Sequence, residues 1–111
     1  MTDSRIRPAE CVTMAEVRHG IDRLDEQIVA LIGERFRYMD AAARIKPERG
    51  HVRDEARKAQ VKANAREVAM RVGVPVAAID VLYENLIEAS IAYELDEFDR
   101  VGSVSAPEAV R

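Results

Sequence analysis

An all-α fold organised on one long helix is predicted by three features of the sequence. Aromatic residues are only 5% of the chain, while alanine, leucine, valine, glutamate and arginine dominate. Glycine and proline are few, and no stretch sustains the apolar–polar alternation of a strand. From Met14 to Lys46 there is no proline, and apolar residues fall at Val17, Ile21, Leu24, Ile28 and Leu31. That spacing makes the seam of a helix that packs along another helix. At ~1.5 Å per residue the helix spans roughly 50 Å. The remaining ~60 residues cannot cover it in so small a protein. The expectation is therefore an oligomer, with a second copy of the long helix as the cover.

Residues 1–12 read as an irregular arm. Thr13 is a plausible N-cap, and Glu16 completes a capping-box pattern with it. Pro47 ends the long helix, because it lacks an amide donor and restricts Lys46 before it. Residues 47–51 form a short polar loop. Asp54 reads as the N-cap of a second helix running to about Arg71. Its apolar positions, Ala56, Val61, Ala65, Val68 and Met70, make a weak stripe. Gly73 suits the position just past that helix, and Pro75 suits the first turn of a third. The third helix is expected from about Val76 to Arg100, with Ile79, Leu82, Tyr83, Leu86 and Ile87 as its stripe. One helical domain, 13–101, is thus followed by a tail, 102–111, small and polar enough to be expected disordered.

Several function classes are excluded by composition. The formal charge is −3 without a basic block, which argues against non-specific nucleic-acid binding. Cys11 is the single cysteine, so no disulfide framework or thiolate metal site exists, and an ordinary reduced thiol is expected. His19 and His51 have no metal-ligand spacing. No apolar run approaches the ~20 residues of a membrane span, and a cytoplasmic protein is expected. Dinucleotide, P-loop, zinc-protease and nucleophile-elbow motifs are absent.

The apolar faces are interrupted by charge. The seam position after Leu31 is Arg35, and Lys46 returns to that face 11 residues later. Ser90 and Glu94 interrupt the third helix at successive steps of four after Leu86. Asp54 and Arg57 stand at the start of the second helix. Singly these residues have plain explanations: a cation beside an apolar stripe usually snorkels to water, Ser90 can be a filler, Glu94 can belong to an acidic face and Asp54 can be only a cap. Jointly they suit a small molecule with two carboxylates, held by arginine forks and a lysine point charge. Arg18 lies 17 residues before Arg35, roughly 25 Å along a helix, so both cannot touch one small ligand from the same copy. An antiparallel pair of long helices with its twofold axis between Glu26 and Gln27 brings Arg18 of one copy level with Arg35 of the other.

The run Ile21-Asp22-Arg23-Leu24-Asp25, then Ile28-Val29, Leu31-Ile32, Glu34-Arg35, Ala41-Ala42-Ala43 and Ile45-Lys46, resembles the first helix of the all-α chorismate mutase family. Val52-Arg53-Asp54 with Arg57 resembles the start of that family's second helix, and Leu86-Ile87-Glu88-Ala89-Ser90 its third. Residues 10–14 and the Arg18 region are similar to the isochorismate pyruvate-lyase branch. The resemblance covers about residues 12–100. It implies an intertwined, domain-swapped homodimer of three-helix chains, without a cofactor. It further implies that Arg18 from the partner, Arg35 and Lys46 bind the substrate carboxylates and ether oxygen, and that Arg57 adds a cation. Asp54 falls at the ring-hydroxyl end, Ser90 lines the pocket, and Glu94 stands where many members have a glutamine that donates to the ether oxygen.

The implied activity is the rearrangement of chorismate to prephenate. The first alternative is isochorismate pyruvate lyase, giving salicylate and pyruvate, and a mutase of an amino-substituted chorismate is a minor one. A non-catalytic helical dimer serving as an interaction module is the competing class. Two positions depart from the family pattern. Lys58 stands where many mutases have a glutamate for the ring hydroxyl, which tilts towards the lyase. Glu94 can donate a hydrogen bond only when protonated.

Overall fold

The computed structural model describes residues 5–110, with side chains described through residue 102. Among them stand three α-helices, α1 (Met14–Ile45), α2 (Glu55–Val72) and α3 (Val76–Val110), with 3-10 turns at Pro8–Glu10 and Arg49–His51 and no strand. Two compact units divide within α1, the first ending at Arg35 and the second beginning at Phe36.

In the first unit the capping box at the start of α1 is complete. Glu16 N–H donates to Thr13 Oγ1 at 3.1 Å, and Thr13 N–H and Val12 N–H donate to Glu16 Oε1 at 3.1 and 2.8 Å. These bonds satisfy amides that no helical carbonyl can reach, and they hold the Glu16 carboxyl below its ordinary value. The arm carries a 3-10 turn, so it is not wholly irregular; residues 1–4 of it lie outside the described residues. Arm and helix together enclose a cavity of about 460 Å³ lined by Ile6, Pro8, Cys11, Val17, Ile21 and Leu24. The seam is bare in the single chain: Ile28 is 50% and Leu31 64% exposed. The arm lies over the seam only as far as Leu24.

In the second unit the end of α1 docks on α3 through aromatic and polar contacts. The rings of Phe36 and Tyr93 lie 4.8 Å apart at a tilt of 47°. Tyr93 Oη donates to Asp40 Oδ1 at 2.7 Å and accepts from Arg37 Nη2 at 2.9 Å. The buried apolar residues of the described chain are few: Ala43, Val52, Ala69 and Ile87.

The α2–α3 hairpin is laced by charge. Cations at Lys58, Lys62 and Arg66 share one face of α2, and acids at Asp80, Glu84 and Glu88 share one face of α3, each at steps of four. The strips pair antiparallel: Arg66 with Asp80, Lys62 with Glu84, and Lys58 with both Glu84 and Glu88. Arg53, just before α2, extends the ladder with Nη2 2.6 Å from Glu88 Oε1. The small side chains of Ala65 and Ala69 let the helices approach between these pairs. Consequently Val61, Ala65 and Ala69 carry the apolar contact of α2, while Val68 and Met70 of the expected stripe face outward. In α3 Ile87 is buried and Leu82 is exposed.

The predicted helix boundaries hold where a local device fixes them. Asp54 caps α2, its Oδ1 accepting from Arg57 N–H at 3.0 Å. Gly73 closes α2 at φ 79°, a left-handed conformation that favours glycine, and Val74 N–H returns to Ala69 O at 2.8 Å. The tail differs from expectation. The third helix passes Arg100 and Gly102 and continues to Val110. Gly102 does not enter the left-handed region, which among the described residues only Gly73 occupies. A glycine ends a helix when it turns left-handed, not merely by being present.

The ladder makes stability depend on acid. Arg53 and then Lys58 hold the Glu88 carboxyl down at about 2. An unfolded glutamate titrates near ~4.3, so the stabilisation is fully present above that value and is lost as pH falls towards about 2. Glu88→Gln is expected to lose less of its melting temperature than the parent across that window. An equal loss in the two proteins would show that Glu88 does not carry this dependence.

Candidate functional site

The centre of the site is a buried carboxylate. Glu94, on α3, is 4% exposed, and the Lys46 ammonium lies 2.7 Å from its Oε2. The contact is ionic rather than a well-aligned hydrogen bond, since Oε2 has no donor at hydrogen-bonding angle. Lys46 arrives from just past α1, where its N–H still closes on Ala42 O at 2.9 Å. One turn before Glu94, Ser90 is equally buried, and its Oγ donates to Leu86 O at 2.7 Å. Serine at this position satisfies its hydroxyl on its own helix and keeps the adjoining space small. The ammonium of Lys46 thus meets the acid, and Ser90 stands one turn before it on the same helix. An anionic oxygen entering here finds a half-buried cation, its side chain 29% exposed, and must compete with Glu94 for it.

The other predicted site residues are distributed. Asp54 is engaged as the α2 cap, and Arg57, one turn on, is exposed with Nη1 2.7 Å from Gln60 Oε1. Arg18 is exposed and Arg35 half-buried, both in the first unit. The structure thus joins Lys46 with Glu94, sets Ser90 one turn away on the same helix, and joins Asp54 with Arg57. It does not bring Arg18 to Arg35, which are 17 positions apart on one helix.

Lys58 is explained by the ladder. Its side chain is only 16% exposed, and its ammonium lies 2.8 Å from both Glu84 and Glu88. Those carboxylates raise its basicity above the ordinary lysine value. Glu84 and Glu88 lie on a different face of α3 from Ser90 and Glu94, separated by roughly a quarter turn or more at ~100° per residue. Lys58 is thus spent on packing α2 to α3. Sequence reasoning missed this ladder, although its two strips at steps of four were visible. It also missed the pairing of Arg49 with Asp99, which no periodicity announces.

The described residues define a class: an all-helical domain in which a half-buried ammonium lies against a buried carboxylate. Comparison with known proteins identifies the class further. The profile described as Chorismate mutase type II matches residues 17–95, and the chain belongs to that family. Isochorismate pyruvate lyase of Pseudomonas aeruginosa is similar to it, 28% identical over 88 residues that make up 79% of this chain and 87% of that protein. Among the described residues no group of histidine, cysteine and acidic side chains is suited to a metal ion, and no helix is long and apolar enough to cross a membrane.

The buried pair has a thermodynamic signature. Lys46→Met is expected to lower the unfolding free energy by about 3 kcal/mol near neutral pH, because it strands the Glu94 charge. Adding Glu94→Gln to that variant is expected to recover most of the loss. Urea melts of the four proteins check this, and a double variant no more stable than Lys46→Met would contradict it.

Proposed function

We propose that this protein is a chorismate mutase, catalysing the pericyclic rearrangement of chorismate to prephenate in a homodimer. The observation that carries the reading is the Lys46 ammonium held against buried Glu94, one turn from Ser90, in a chain of the chorismate mutase type II family. The reaction needs neither a covalent intermediate nor a cofactor. It needs the chair-like conformer held in place and the separating charge stabilised as the C–O bond breaks. Arg35 and Arg18 take the two carboxylates, and Lys46 takes the ether oxygen, where negative charge grows. A cation at that oxygen acts more strongly on the transition state than on the ground state, as catalysis requires. Arg57 adds positive potential, and Asp54 lies at the ring-hydroxyl end.

The exposed seam supports the dimer. Ile21, Leu24, Ile28 and Leu31 present an apolar face that a second α1 covers when packed antiparallel. With the axis between Glu26 and Gln27, Arg18 completes the site of the partner subunit.

A second reading is favoured by two observations: the similarity to a protein named isochorismate pyruvate lyase, and the engagement of Lys58 at the position where many mutases keep a hydroxyl-binding glutamate. In that reading the same cations act on isochorismate, and the products are salicylate and pyruvate.

Arg35→Ala distinguishes an enzyme from a non-catalytic dimer. It is expected to abolish turnover while the dimer stays folded; an interaction module has no turnover to lose. Mixing tests the shared site. Arg18→Ala and Arg35→Ala are each expected to be inactive, yet subunit exchange between them restores about a quarter of parental activity, because half the dimers then hold one intact site. No restoration would contradict a site shared between subunits.

A further inference from the structure

Between α1 and α2 the chain is fastened to α3 at both ends of a short loop. At one end Lys46 meets Glu94 at 2.7 Å. At the other, Arg49 grips Asp99 with a two-pronged fork, Nε to Oδ1 at 2.8 Å and Nη2 to Oδ2 at 3.1 Å. Glu94 and Asp99 are five residues apart on one helix. A 3-10 turn follows Arg49: His51 N–H closes on Glu48 O, and Val52 N–H closes on Arg49 O, both at 3.1 Å. Val52 is then buried at 4% exposure. The segment behaves as a strap laid on α3 and pinned at Lys46, Arg49 and Val52.

We propose that Arg49 and Asp99 are positioning residues for Lys46, acting through this strap; the inference rests on the reading of Lys46 given above. Lysine presents a point charge on a flexible stem, so the fork geometry that places arginine is missing and the backbone must do the placing. Pro47 removes one amide from the strap, and α1 has already ended at Ile45. The Arg49–Asp99 fork supplies a geometric constraint at the far side of that break. Its arms are exposed, 57% and 52% respectively. Exposed pairs contribute about 0–1 kcal/mol to stability. Position is a different matter, because a displacement of ~1 Å at a catalytic charge costs up to ~100-fold in rate. The fork therefore affects turnover far more than folding, and salt weakens it.

The test is steady-state kinetics of the full-length protein at low salt, on whichever of chorismate and isochorismate the parent turns over. Asp99→Ala is expected to lower kcat about tenfold, with KM within about twofold and a melting temperature close to the parent's. Asp99→Glu, or the swap of Arg49→Asp with Asp99→Arg, is expected to restore most of kcat. Added sodium chloride is expected to depress the parent's kcat more steeply than that of Asp99→Ala. Asp99→Ala with kcat within about twofold of the parent would overturn the inference. So would a loss that neither the conservative variant nor the swap repairs. A parent inactive on both substrates removes the underlying functional reading instead, and the two failures are distinct.

Discussion

A carboxylate that folding removes from water must be answered by a cation, and the placing of Lys46 against Glu94 is the constraint on which the second unit depends. The answer comes from a residue 48 positions earlier in the chain, so the end of α1, the loop after it and the middle of α3 must all meet. Few large side chains are buried around this meeting point. Polar fasteners take the place of a thick core: Arg37, Asp40 and Tyr93 before the pair, Arg49 and Asp99 beyond it. Burying an acid with a single ammonium is a poor way to gain stability.

Charge performs two different jobs in this chain. Along the α2–α3 hairpin, alternating steps of four set cations against acids in a solvent-facing ladder that fixes register. At Lys46 and Glu94 the same residue types form a single pair, with the acid buried and the ammonium half-buried. Lys58 illustrates why sequence position alone misleads. Its place beside Arg57 suggests a ligand-binding role, yet its two carboxylate partners draw it into the ladder.

Features with local causes were legible in the sequence. The Thr13–Glu16 box, the Asp54 cap and the Gly73 stop each depend on residues within a few positions of one another. The apolar seam of α1 was also legible, and its exposure in the single chain agrees with the reading that it lacks a cover in its own unit. The end of α3 was misread because Gly102 keeps a right-handed backbone. The expected α2 stripe holds at Val61 and Ala65, but it included Val68 and Met70, which are exposed, and left out Ala69, which is buried. Contacts such as Arg49 with Asp99 join residues 50 positions apart and leave no periodic trace. Of the site, Lys46, Ser90 and Glu94 were visible as interruptions of apolar stripes, because a polar residue on a buried face needs a reason.

The most direct test is a side-by-side assay of the purified protein with chorismate and with isochorismate, identifying the products. The account predicts prephenate from chorismate with good turnover and little salicylate from isochorismate. Efficient release of salicylate and pyruvate, without prephenate, would contradict the mutase reading and assign the pocket to the lyase reaction. Absence of all three products from an intact dimer would contradict catalysis on either substrate.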